Sequence, residues 1–290
     1  MRYLPNGKQM SEADAHTIHE IGIPSLVLME RAALQIVETM HKKNISTEKS
    51  LIVCGSGNNG GDGFAVARLL TEQGKHADVL FAGKEASLSE ECRCQKQIVE
   101  NMGISVFTEF PDEEYTVIID AVFGVGLCRE ITGHYKDVID WMNLQDAEKV
   151  AVDIPSGICA ATGKILGTAF RADLTVCMAC VKLGCELFPG KSYAGESIPV
   201  AIGIDPKYFS NRLDVCYTFD KNDLGKLLPS RMMNSHKGSY GKVLMITGSP
   251  GMAGAAFLSA CAAYTVGAGL VQIYTASENR LALQDRKSVV

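Results

Sequence analysis

Nine consecutive residues, Gly55-Ser56-Gly57-Asn58-Asn59-Gly60-Gly61-Asp62-Gly63, combine five glycines with two amides and one carboxyl group. Glycines let the backbone approach a ligand without Cβ clashes. Gly55, Gly57 and Gly60 also satisfy the G-x-G-x-x-G spacing of a phosphate-cradling turn. An acid is out of place in a loop that only holds phosphate, because it would repel the anion. Asp62 therefore reads in two ways. It is a helix N-terminal charge that complements the macrodipole, or, with Asn59, it faces a cation or a polar ring while phosphates sit elsewhere along the loop. Two more acids stand in similar places. Asp120 closes the apolar run YTVIID before Gly124-Val125-Gly126-Leu127, and Asp153 lies in KVAVDI before Pro155-Ser156-Gly157. Acids at successive strand ends are costly to bury unless a cation or a hydrogen-bonding ligand compensates them. Asn59, Asp120 and Ser156 would supply hard oxygen ligands suited to an alkali or alkaline-earth ion. Alone, Asp120 or Asp153 reads as a cap for the helix that follows; together with Asn59 and Asp62 they read as a site.

The elements that must position these residues are buried strands alternating with helices. Residues 51–54 are a short apolar run, the signature of a strand buried on both faces. After the loop, Phe64, Ala65, Ala67, Leu69 and Leu70 resume at helical spacing. Strand, glycine loop and helix together aim backbone N–H groups and a helix N-terminus at an anion. Further strands are predicted at 77–82, 104–107, 115–120, 149–154, 174–178 and 198–204, with a helix over 87–102. Residues 1–49 read as mainly helical. Ser11 opens a capping-box-like S-E-A-D, and Gly22 and Pro24 mark a turn. Residues 25–43 then carry Leu26, Met29, Ala33, Ile36, Val37 and Met40 as one apolar face. Glu30, beside Arg31 among these apolar residues, reads either as half of a surface ion pair or as a site residue. The expected fold is α/β: a three-layer, Rossmann-like, doubly wound and mostly parallel sheet, with ligands beyond the carboxyl ends of its strands.

Composition excludes several classes. With 290 residues the chain holds one large domain or two ordinary ones, and 47% apolar with 21% charged residues is globular usage. A formal charge of −5 without any lysine/arginine run argues against nucleic acid as a partner. The opening MRYLPNGKQM has no apolar core of a secretory signal. Residues 243–277 contain no Lys, Arg, Asp or Glu, yet Gly248-Ser249-Pro250-Gly251 and Gly267-Ala268-Gly269 divide them into strand, loop, small-residue helix and strand, not a membrane span. Among the ten cysteines, Cys177 and Cys180 have metal spacing with Cys185 nearby, but no second pair partners them. Cys92 and Cys94 carry no metal signature. Free thiols point to a reducing, cytoplasmic setting.

GSGNNGGDG, DAVFGVGL and AVDIPSG, in that order and spacing, resemble the NAD(P)H-hydrate epimerase domain, also called the YjeF N-terminal domain. GIPSLVLMERAA resembles that family's N-terminal helix, and FPGKSYAGE and VAIGID its final strands. Residues 236–271 resemble the opening of the ADP-dependent NAD(P)H-hydrate dehydratase, a ribokinase-like α/β domain. The resemblance implies an epimerase domain over 1–218 and the N-terminal part of a dehydratase over 219–290. That family's catalytic G-T-G-D turn is not in the sequence, so no dehydratase activity is expected from these residues, and 285–290 do not look like a natural domain end. The epimerase inverts C6 of a nicotinamide ring hydrated at that carbon, and the dehydratase uses ADP to remove the water. Carried over residue by residue, Asn58, Asn59, Gly60, Gly61 and Asp62 contact the hydrate. So do Gly124, Val125, Gly126, Leu127, Cys128, Arg129 and Glu130, and Asp153. Potassium is held by Asn59, Asp120 and Ser156. In the second segment Gly254 and Ala255 are the implied hydrate contacts. Asp153 is the residue expected to move a proton. The implied substrate is the hydrated cofactor, with neither membrane nor nucleic acid as partner and a homo-oligomeric assembly.

Two other functions use the same features. A nicotinamide-dependent oxidoreductase would share the glycine loop, but Asp62 and the double Asn are foreign to that fingerprint, and Asp78 is its nearest candidate for the ribose acid. A non-catalytic binding module, like the scaffold domains of messenger-RNA decapping proteins that resemble this fold, would not need Asp62, Asp120 and Asp153.

Overall fold

The computed structural model describes residues 1–227 and 230–284; the expectation for 285–290 lies outside them. Two compact units are present, Met1–Asp223 and one beginning at Leu224.

The first unit opens with β1 (Arg2–Leu4) and α1 (Gly7–His16). Here the predicted cap is corrected. Asn6 and Gln9 form a reciprocal capping box, each side chain accepting the other's backbone N–H at 2.9–3.0 Å. Ser11 is already inside the helix, where its hydroxyl donates to the Gly7 carbonyl at 3.0 Å. A π-turn over Thr17–Ile21 ends at Gly22 with φ 87°, and α2 (Ser25–Lys42) follows. Leu28, Met29, Ala32, Ala33, Ile36, Val37 and Met40 form its buried face, while Leu26 is exposed. The chain continues through β2 (Lys49–Cys54), α3 (Asn58–Glu72), β3 (His76–Phe81), α4 (Glu90–Asn101), β4 (Val106–Phe107), β5 (Val117–Ala121) and α5 (His134–Leu144). Then come β6 (Glu148–Val152), β7 (Leu174–Met178), α6 (Leu183–Glu186), β8 (Glu196–Val200) and β9 (Cys216–Thr218). The last predicted strand, 198–204, is shifted: Ile202 and Ile204 lie beyond β8 as buried loop residues.

Seven strands form one parallel sheet in the order β4-β3-β2-β5-β6-β7-β8. Both faces of β2 are buried, which explains its unbroken apolar run. Ile52 and Cys54 join the core containing Ile36, Phe64 and Val99 of α2, α3 and α4. Leu51 and Val53 join the core containing Val138, Ile139 and Met142 of α5. Helices therefore cover both faces, as the doubly wound reading requires. Strand order reverses direction between β2 and β5, so the crevice beyond their carboxyl ends is the topological switch point. A feature the sequence did not suggest is β1, which pairs antiparallel with β9.

The second unit contains α7 (Leu224–Leu227), β10 (Lys242–Ile246), α8 (Ala253–Thr265), β11 (Leu270–Tyr274) and α9 (Arg280–Gln284). β10 and β11 pair in parallel with α8 as their crossover, so the charge-free run 243–277 is a βαβ unit. Among the described residues no helix is long and apolar enough to cross a membrane.

Candidate active site

The turns after β2 and β5 are in backbone contact. Gly55 N–H donates to the Ala121 carbonyl at 3.0 Å, and a Cβ on Gly55 would stand 2.0 Å from the Val122 carbonyl oxygen. Only glycine permits that approach. Gly60 and Gly61 serve the same packing: a Cβ on Gly60 would meet the Gly55 oxygen at 2.0 Å, and one on Gly61 the Met29 Cε at 2.5 Å. Gly57 stands at the N-cap of α3 with no side-chain cap, so the first amides of this helix stay available to an anion. Asn59, on the first turn, lies against Gly124, where an added Cβ would be 3.3 Å from its Oδ1. Its Nδ2 is buried with no hydrogen-bond partner.

Asp120, on β5, is fully buried and tied to the turn after β6. Ser156 Oγ donates to Asp120 Oδ1 at 2.6 Å, Ser156 N–H to Oδ2 at 2.7 Å, and Val122 N–H to Oδ1 at 3.2 Å. Burial pushes the Asp120 carboxyl up to about 6, against the pull of these donors. No lysine or arginine pairs with it among the described residues. A buried carboxylate without a cation, a serine hydroxyl and the Asn59 side-chain oxygen beside Gly124 form an oxygen-rich donor set that fits a hard monovalent cation.

Asp153 follows β6 with φ 69°, a left-handed conformation uncommon outside glycine and tolerated best by Asn and Asp. Its Oδ1 accepts the Met178 N–H at 2.8 Å and an ion pair from Lys182 Nζ. Lys182 is completely buried and also donates to the Met178 carbonyl at 3.0 Å. Burial is the largest single influence and would lower the lysine, but the charge and hydrogen bond of Asp153 together with Cys177 and Cys185 outweigh it, and the ammonium is held above its ordinary value. Asp62, partly covered on α3, carries no hydrogen bond or ion pair among the described residues. Burial, then the charges of Asp153 and Asp14, push it well above the usual carboxylate range, while Lys182 pulls the other way. Asp14, on α1, is raised by burial and by Asp153 and Glu91.

These groups surround one cleft of about 760 Å³ at the switch point. It is lined by Asn58, Asn59, Asp62, the 124–129 turn and Asp153, together with Asp14, Met29, Lys84, Tyr135, Ile202 and Ile204. Of the residues the sequence singled out, Gly60, Gly61, Asp120 and Ser156 lie beneath this surface, and exposed Glu130 is not among its lining. Gly254 and Ala255 lie on α8 of the second unit, and every residue lining the cleft belongs to the first. Glu30 pairs with Arg68 across α2 and α3, not with Arg31. Asp78, the ribose acid of the oxidoreductase reading, is buried on β3 and bonded to Tyr115 and His76 at 3.1 and 2.9 Å. Sequence reasoning missed Asp14, Lys84 and Lys182. Only Lys182 carried a signal, a lone lysine in the apolar run CMACVKLG.

The family model described as YjeF-related protein N-terminus matches residues 25–184. The NAD(P)H-hydrate epimerase of Oenococcus oeni is 42% identical over 201 residues, 69% of this chain and 96% of that one. The NAD(P)H-hydrate epimerase of Limosilactobacillus reuteri is 44% identical over 197 residues, 67% and 93% of the two chains. A bifunctional NAD(P)H-hydrate repair enzyme of Moorella thermoacetica is 35% identical over 287 residues, 93% of this chain but 53% of its own length, so the chain spans about half of that relative. The crystal structure of yeast ynu0 superposes with a TM-score of 0.59 at 17% identity, covering 74% of this chain and 99% of that one, a likeness of fold.

Proposed function

The chain belongs to the family of YjeF-related protein N-termini, and on that premise we propose that it is a metabolite-repair isomerase inverting C6 of hydrated NADH and NADPH. The observation that supports this most is the meeting of Asp153, Asp62 and the open N-terminus of α3 in one cleft. A C6 hydroxyl beside the ring nitrogen is a hemiaminal. Inverting it requires a proton delivered and taken back at one place, which positioned carboxyl groups do. Asp153 is the proton-moving residue. Asn58, Asn59 and the turn from Gly124 to Arg129 orient the ligand, and Arg129 and Lys84 stand at the cleft to meet its phosphates.

Asn59, Asp120 and Ser156 would hold potassium. When bound, the ion supplies the positive charge that buried Asp120 lacks and fixes the two turns on which the ligand rests. The setting is cytoplasmic and the assembly homo-oligomeric on this reading. Residues 1–218 form the epimerase domain and 219–290 the start of a dehydratase domain, in which Ala255 touches the hydrate. The Moorella relative is named as bifunctional. Dehydration with ADP is not assigned to these 290 residues, whose sequence has no G-T-G-D turn.

The test is incubation with one pure hydrate epimer, following the epimer ratio by chromatography. Catalysed approach to the equilibrium ratio supports the reading; a ratio drifting no faster than in buffer refutes it.

A further inference from the structure

Three carboxyl groups line the cleft, those of Asp14, Asp62 and Asp153, and the last two stand in unlike surroundings. Asp153 reaches it from the end of β6 with one oxygen engaged: Oδ1 takes both the Met178 N–H and the Lys182 ammonium, which leaves Oδ2 for a ligand. Asp62 reaches it from α3 with no hydrogen bond and no ion pair among the described residues. Lys182 has no exposed surface and its partners are the Asp153 carboxylate and the Met178 carbonyl, so its charge is committed to one side of this pair.

Lys84 and Arg129 line the same cleft, but among the described residues Lys182 alone forms an ion pair with either acid. Asp14 from α1 faces both acids, with Glu91 and His19 next around it. The thiols of Cys54 and Cys92 face Asp62. Cys177, Cys180 and Cys185 surround Asp153 and Lys182. One buried ammonium among three carboxyl groups cannot serve all of them. Neighbouring carboxyls in one covered site separate into an ionised member and a protonated member, and that separation assigns base and acid.

We propose that Lys182 is a positioning residue that gives two of the three cleft carboxyls opposite roles, Asp153 as proton acceptor and Asp62 as a second catalytic residue, the proton donor. This rests on the epimerase reading above. Asp62 passes its proton to the C6 hydroxyl. The C6–O bond breaks, its electron pair leaves with water, and the N1 lone pair closes a C6=N1 bond. Asp153 Oδ2 takes a proton from a water that attacks C6 on the other face. The new C6–O bond forms as the C6=N1 pair returns to N1. One water leaves and one enters, a proton has moved from Asp62 to Asp153, and exchange with solvent in the open cleft restores both.

The experiment measures kcat and KM for epimerisation from pH 5 to 9 with the whole chain and the variants Lys182→Met, Lys182→Arg and Asp62→Asn. For Lys182→Met we expect kcat to fall roughly 100-fold, with KM within about threefold of wild type. The acid limb of kcat/KM should move to higher pH, because the variant removes the ammonium paired with the proton acceptor. Lys182→Arg should keep the limb near its wild-type position. Asp62→Asn should lose roughly 100-fold in kcat and lose the alkaline limb, since the group whose ionisation ends activity is gone. An unmoved acid limb in Lys182→Met, or an intact alkaline limb in Asp62→Asn, overturns the assignment. Should Lys182→Met fail to fold, Asp62→Asn decides alone, because the Asp62 carboxyl holds no hydrogen bond or ion pair among the described residues. Wild-type chain without epimerisation would overturn the functional reading itself; active wild type with unmoved limbs overturns only this inference.

Discussion

Ser156 clasps Asp120 with both its hydroxyl and its backbone N–H, at 2.6 and 2.7 Å on separate carboxylate oxygens. This pair of hydrogen bonds ties the end of β5 to the turn after β6 under the cleft. Ser156 Oγ also accepts the Phe123 N–H at 2.8 Å, so one hydroxyl satisfies two buried groups.

Ser156→Ala leaves the Asp120 oxygen and the Phe123 N–H each short of a partner. The expected loss is about 1–3 kcal/mol, read from urea midpoints. With potassium in place of sodium, the wild type should gain stability by ligand linkage and the variant should gain little. Equal gains in both would remove Ser156 from the cation site.

Asp153→Asn keeps the volume and the Met178 N–H contact but cannot take a proton and leaves Lys182 without its charge partner. Epimerisation should fall by roughly 10²–10⁴-fold, with the hydrate still bound in an equilibrium titration. Full activity in a folded variant would displace Asp153 from the chemistry.

Two neighbouring glycines should respond unequally. Gly55→Ala forces a Cβ within 2.0 Å of a backbone oxygen, and overpacking of this kind costs about 1–3 kcal/mol or more. Gly57→Ala meets nothing within 4 Å at an ordinary φ of −87°, and should cost only the smaller penalty of alanine at an N-cap, about 0.5–1 kcal/mol. Thermal melts of the pair give the comparison.

Asp62 makes the pH dependence of stability specific. Its folded value lies above its unfolded one, so the stability tied to its proton is fully present below the unfolded carboxyl value and is lost as pH rises toward the folded value. Asp62→Asn does not titrate. It should therefore melt higher than wild type at pH 7–8, with the advantage shrinking toward pH 3–4. An advantage independent of pH would place its cause outside this ionisation.

The glycine loop and the acids at two strand ends were legible because each sits beside a local signal, an apolar run that stops at a turn. The doubly wound sheet followed from the same runs. What stayed hidden depends on contacts between distant segments. Lys182 meets Asp153 across 29 residues, and Asp14 comes to the cleft on a helix whose sequence resembles any polar helix. The β1–β9 pairing joins the two ends of the first unit through strands too short to show a pattern. Arg68 outcompeted Arg31 for Glu30 because α3 packs on α2, which no spacing within α2 could reveal. The S-E-A-D cap misled because a full capping box at Asn6 and Gln9 starts the helix earlier.

The most direct measurement takes one pure epimer of the hydrated cofactor and follows conversion by chromatography with wild type and Asp153→Asn side by side, in potassium and in its absence. The account predicts rapid equilibration by wild type in potassium, slower equilibration without it, and near-background drift with the variant. Wild type that leaves the ratio drifting as in buffer, or a folded variant that equilibrates it as fast as wild type, would contradict it.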